Sequence, residues 1–107
     1  MTTFDEREQG YEAKFAHEQD VEFKTSARRN RLLGLWAAGL MGLQKQHLED
    51  YAKAVVKSDF EQPGDDDVLR KVFEDLKGAG VAIGERDVRL KMDELMALAR
   101  EQIKTGA

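Results

Sequence analysis

From Thr3 to Gly42 the sequence contains no proline, and Gly10 is the only glycine before the apolar run that begins at Leu32, so little interrupts a helix over this stretch. A continuous helix of ~39 residues would measure about 58 Å. A compact chain of this length has a radius of gyration near ~13 Å, so one end of that helix must project or fold back. Composition along the stretch decides which end. Leu32 to Leu43 (LLGLWAAGLMGL) is apolar nearly all round, as a central buried helix is expected to be, with Trp36 expected as a core anchor. Gly34, Ala37 and Ala38 would let neighbouring helices approach it closely. Residues 1 to 20 carry few apolar side chains. The expected organisation is an N-terminal arm over residues 1–20 and a bundle over residues 21–107, with its first helix at about Val21 to Gly42.

The rest of the chain also reads as helix. Ala, Glu, Lys, Leu and Arg supply 51 of its 107 residues, the share expected of long helices. About Gln44 to Phe60, the residues Leu48, Tyr51, Ala52, Val55, Val56 and Phe60 form a stripe at three- and four-residue spacing, an amphipathic helix. Glu61-Gln62-Pro63-Gly64 breaks it. Asp65 is then placed to cap a third helix, with Asp66 and Asp67 favoured in its first turn, and Val68, Leu69, Val72, Phe73 and Leu76 give its buried side. Gly78-Ala79-Gly80 ends it. A fourth helix, about Glu85 to Lys104, places Val88, Met92, Leu95, Met96, Ala99 and Ile103 on one side. The fold class is all-α: a four-helix bundle with a helix-prone N-terminal arm.

Thr3 followed by Glu6 has the form of a capping box, which sets a helix start at the very N-terminus. Behind it Phe4, Tyr11 and Phe15 fall at i, i+7 and i+11 and form a narrow aromatic seam among charged residues. Burying this seam falls short of the entropy lost in ordering the arm. Either it folds back on the bundle or frays, or it inserts as a helix into a groove that another protein supplies.

Chemistry of its own is hard to place on this chain. There is no cysteine, which removes thiolate metal sites, disulfides and cysteine nucleophiles. His17 and His47 stand in no metal-ligand spacing, and no nucleophile elbow surrounds Ser26 or Ser58. Gly78, Gly80 and Gly84 follow a helix rather than a strand and lack the Gly-Lys-Ser/Thr of a phosphate loop. Glu61, Asp65, Asp66 and Asp67 do not have the spacing of a calcium loop. No metal site and no enzymatic activity are expected. A net charge of −4 argues against nucleic-acid binding, which needs a cationic surface. The apolar run of twelve residues, Leu32 to Leu43, is too short to span a membrane, and a cytoplasmic location is the default. Lys24, Arg28 and Arg31 share a face at i, i+4 and i+7, with Arg29 beside them. Such a cluster is either a solvated face or a holder of phosphates.

The stretch FDEREQGYEAKFAHEQDVEFKTSARRNRLLGLWAA, Phe4 to Ala38, resembles the N-terminal half of the zeta subunit family, inhibitors of the F-type ATP synthase. The resemblance continues through YAKAVVKSDFEQPGDDDVLRKVFEDL, Tyr51 to Leu76, departs at Gly39 to Lys45, and fades in the last helix. It is similar enough in the block Arg28 to Ala38 to be specific. It implies a four-helix bundle that binds the catalytic head of the synthase (alpha, beta and gamma subunits) and blocks ATP hydrolysis, with the N-terminal segment entering a catalytic alpha/beta interface near gamma. That role would fall on Phe4, Arg7, Tyr11, Lys14 and Phe15. The resemblance further implies ADP or ATP as a regulatory ligand of the bundle, for which Arg28, Arg29 and Arg31 are the candidate holders. No cofactor is required, no nucleic acid or inserted membrane segment is involved, and the location is cytoplasmic, peripheral to the inner membrane through the synthase. The alternative is a small helical nucleotide-binding sensor or adaptor module.

Overall fold

A computed structural model describes residues 3–106, with side chains from residue 18 to residue 106. Its four helices are α1 (Thr3–Leu40), α2 (Gln46–Glu61), α3 (Asp65–Gly78) and α4 (Glu85–Thr105), and the fold is all-α. The molecule measures 65 × 25 × 22 Å; its long dimension follows from α1, whose 38 residues rise through about 57 Å. Helix α1 packs against each of the other three, chiefly α2 and α4, while α3 completes the bundle against α2 and α4.

The core is built from the stripes the periodicity assigns. Leu33 and Ala37 of α1, Val55 of α2, Val68, Val72 and Leu76 of α3, and Val88, Met92 and Leu95 of α4 form one cluster. The closest approach is between α1 and α2: a Cβ added at Gly34 would stand 2.7 Å from the Ala52 Cα, so only glycine allows these backbones to meet. The breaks also fall where the sequence places them. Helix α3 closes with the Val81 amide donating to the Leu76 carbonyl at 3.0 Å and Gly80 at a φ of 80°, a left-handed closing residue that favours glycine. The corresponding bond ends α1, from Leu43 N–H to the Ala38 carbonyl at 3.0 Å.

Three expectations are corrected. Asp65 does not cap α3: Gly64 holds the cap position, and the Asp65 carboxylate is drawn instead to Arg29 on α1. The apolar run is not buried all round. Leu33, Ala37 and Ala38 are fully buried, whereas Trp36 lies only partly buried against the core and Leu40 is exposed. Three partner helices cannot enclose every side of a fourth, and the indole takes the flank, where the Lys91 ammonium stands 5.8 Å from its ring centroid. Phe60, the last member of the α2 stripe, is 60% exposed, because its neighbour on α1, Phe23, meets it edge to face and leaves most of the ring uncovered. The capping box at Thr3 and Glu6 lies outside the described side chains.

Candidate functional site

Two arrangements on the N-terminal half of the bundle carry polar or aromatic groups in unexpected places. The first continues the buried face of α1. Reading back from Ala37 and Leu33 in steps of four reaches Arg29 and then Thr25, and from Ala38 and Gly34 it reaches Asn30; all of these are buried. The helical repeat thus drives polar side chains into the bundle. Thr25 satisfies itself by donating its hydroxyl to the Val21 carbonyl at 2.7 Å.

Arg29, only 2% exposed, donates from Nε to the Asn30 side-chain oxygen and from Nη2 to Asp65 Oδ1, both at 2.8 Å. Asn30 donates in turn to Asp59 Oδ2 at 2.8 Å, and the other Asp59 oxygen accepts the Gly64 amide at 3.3 Å. The chain of bonds therefore clasps the α2–α3 connection, Gln62 to Gly64, onto α1. No buried side-chain nitrogen or oxygen among the described residues is left without a partner, as a buried polar network requires.

The neighbouring arginines face elsewhere. Arg28 donates to the Gln102 side-chain oxygen on α4 at 3.2 Å. Arg31 forms a two-point contact with Glu49 on α2, at 2.7 and 3.0 Å; that hydrogen bond, with the attraction of opposite charges, raises the guanidinium pKa and holds the Glu49 carboxyl below its usual range. Arg28 and Arg31 do come together with Lys24 along one cavity of about 380 Å³. Arg29 is not part of it. Farther along the bundle, burial and then a hydrogen bond to Asp75 at 2.8 Å push the Tyr51 hydroxyl pKa well up. The Tyr51 bond ties α2 to α3, and Lys71, also on α3, donates to the same Asp75 oxygen at 3.1 Å. Arg89 on α4 meets Asp66 on α3.

The second arrangement is apolar and exposed. Phe23 on α1 and Phe60 on α2 meet edge to face, ring centroids 5.1 Å apart, yet they are 54% and 60% exposed. Both line a cavity of about 330 Å³ with Asn30, Asp59, Glu22 and Pro63. Each also lines a cavity on its other flank: Phe23 the one shared by Lys24, Arg28 and Arg31, and Phe60 one of about 550 Å³ with Arg31, Lys53, Val56 and Lys57. Phe23 was missed by sequence reasoning, since it stands nine residues before the apolar run in a mostly polar stretch.

The arm candidates Phe4, Arg7, Tyr11, Lys14 and Phe15 fall on α1, with their side chains outside those described. Among the described residues no three His, Cys, Asp or Glu side chains converge in a way that could hold a metal ion. No helix is long and apolar enough to cross a membrane among them either.

The family model described as ATPase inhibitor subunit zeta matches residues 1–102 of the chain. Among solved structures, a protein determined by solution NMR is 44% identical, with 80% of this chain and 98% of that chain covered and a TM-score of 0.69. No curated protein gives a significant match.

Proposed function

The chain belongs to the ATPase inhibitor subunit zeta family, and from that premise we propose that it restrains ATP hydrolysis by the F-type ATP synthase by inserting the first part of α1 at a catalytic alpha/beta interface near gamma. The observation that carries this reading is the form of α1. It is one helix from Thr3 to Leu40, yet Glu18, Gln19 and Asp20 are exposed, and Val21 is the first half-buried residue among those whose side chains are described. Phe4, Tyr11 and Phe15 lie before that point on the same helix, and Arg7 and Lys14 would be the residues to meet carboxylates of a cleft.

A helix wedged between subunits favours one rotary conformation over the others, and a ligand shifts such a cycle only by that difference in affinity. The chain then acts as a regulator whose effect is exerted on the partner's chemistry, and it resides wherever the synthase head resides, peripheral to the membrane that carries it. ADP or ATP as a regulatory ligand belongs to the same proposal. Arg28 and Arg31 remain its candidate holders on the surface, while Arg29 is engaged with Asp65 inside the bundle.

Deleting residues 1–18 is expected to abolish inhibition of the purified enzyme while the far-ultraviolet dichroism and cooperative melting of the bundle persist. Full inhibition by the shortened chain would overturn the reading.

A further inference from the structure

Along the outer side of the α1–α2 seam two cavities, of about 380 and 550 Å³, share Arg31 and Val56 and so form one trough. Its accessible apolar lining is Phe23 and Ala27 on α1 and Val56 and Phe60 on α2, with Ile103 of α4, while Ala52 beneath it is fully buried. Each pair on α1 and α2 is four residues apart, about 6 Å along its helix. Its charged lining is Lys24, Arg28, Arg31, Lys53 and Lys57 against one carboxylate, Glu61. With the ion-pair partners Asp20 and Glu49 counted beside Glu61, five cations meet three carboxylates, a local excess of positive charge on a molecule whose net charge is −4.

We propose that this trough is a second docking surface for the catalytic head, and that its occupant is an acidic amphipathic helix of a head subunit. The inference rests on the reading of the chain as an inhibitor of that head. An amphipathic helix lays apolar anchors at i, i+3 or i+4, and i+7 into a groove, and the facing rows Phe23 with Ala27 and Val56 with Phe60 offer a seat for such anchors. The cations line both banks, three on α1 and two on α2, at the places where the flanking carboxylates of such a helix would fall. Arg28 and Arg31 are also the candidate nucleotide holders, so the test is made at Lys53 and Lys57, on the α2 bank. The ion pairs already present, Arg31 with Glu49, Lys24 with Asp20 and Lys57 with Glu61, join exposed groups. Exposed pairs contribute little and can be exchanged for a partner's carboxylates. Docking here would hold the bundle outside the head while the start of α1 enters the cleft, so that binding at either place raises the effective concentration of the other.

The test uses the full-length chain and the purified catalytic head. The double variant Lys53→Glu with Lys57→Glu changes two exposed positions on α2 and is expected to melt as the parent does. Its half-inhibitory concentration should rise about ten-fold at low ionic strength, with the gap closing as salt is added, as for opposed charges at the edge of an interface. Equal potency of variant and parent overturns the trough while leaving the inhibitor reading intact; a parent chain that does not inhibit at all overturns both. A photoreactive side chain at position 57 should crosslink to a carboxylate-bearing helix of the head. Crosslinks confined to residues 1–17 of the same chain, or none, overturn the assignment. So does a double variant that loses backbone amide shifts induced by ADP but inhibits normally.

Discussion

At one end of the α1–α2 seam Gly34 lies so close to Ala52 that a methyl group would collide with backbone; at the other, Phe23 and Phe60 stand more than half in solvent. Between them, Arg29 and Asn30 are sealed inside. The closed end follows the ordinary rule that small residues let helices meet. The open end inverts the usual distribution, with polar groups within and aromatic rings without. The inversion is physically consistent because the buried groups are all bonded to one another and the rings are left available. The two ends differ in what they offer: one the close packing of the bundle, the other exposed aromatic surface.

That division can be broken by substitution. The largest effect is expected from Arg29→Ala, which removes two donors from a buried network and the packing of a long side chain. A loss of about 2 to 3 kcal/mol is expected, toward the lower part of the range for a broken charged bond plus lost burial, because Asp65 is half exposed and can be rehydrated. Urea unfolding measures it, and an unchanged midpoint would mean the clasp holds nothing. Gly34→Ala should cost about 1 to 2 kcal/mol, since α1 and α2 must part to admit a Cβ. The same unfolding curve would show it, and full retention of stability would show the closed end to be slack. The smallest effect on stability is expected at the open end. Phe60→Ala should move the melting transition by less than about 1 kcal/mol while weakening inhibition of the head. A collapse of the transition would make Phe60 part of the core and erase the contrast.

Much of the fold could be read from spacing, because α3 and α4 carry regular stripes and end at strong breakers. The sides of α1 were harder. Leu32 to Leu43 looks uniformly apolar, and only the neighbours decide which residues turn inward. Arg29 was grouped with Arg28 and Arg31 because long cations near one another suggest a solvated or phosphate-holding face. Yet its place on the extended Ala37, Leu33 repeat was a signal that it lies inside. What the spacing could not supply is its partner, Asp65, thirty-six residues along the chain, whose position before a helix suggested a cap. Phe60 fitted its stripe, and its exposure depends on how the facing ring of Phe23 packs against it, which spacing within α2 does not show. The contact residues of the arm were legible only as a seam and through the family they resemble.

Arg28, Arg29 and Arg31 lie within about one turn of α1, and each takes a bond to a different helix: α4 through Gln102, α3 through Asp65 and α2 through Glu49. That short length of α1 is thus the place where side-chain bonds reach all three of the other helices, so a change of register there would disturb each of them together.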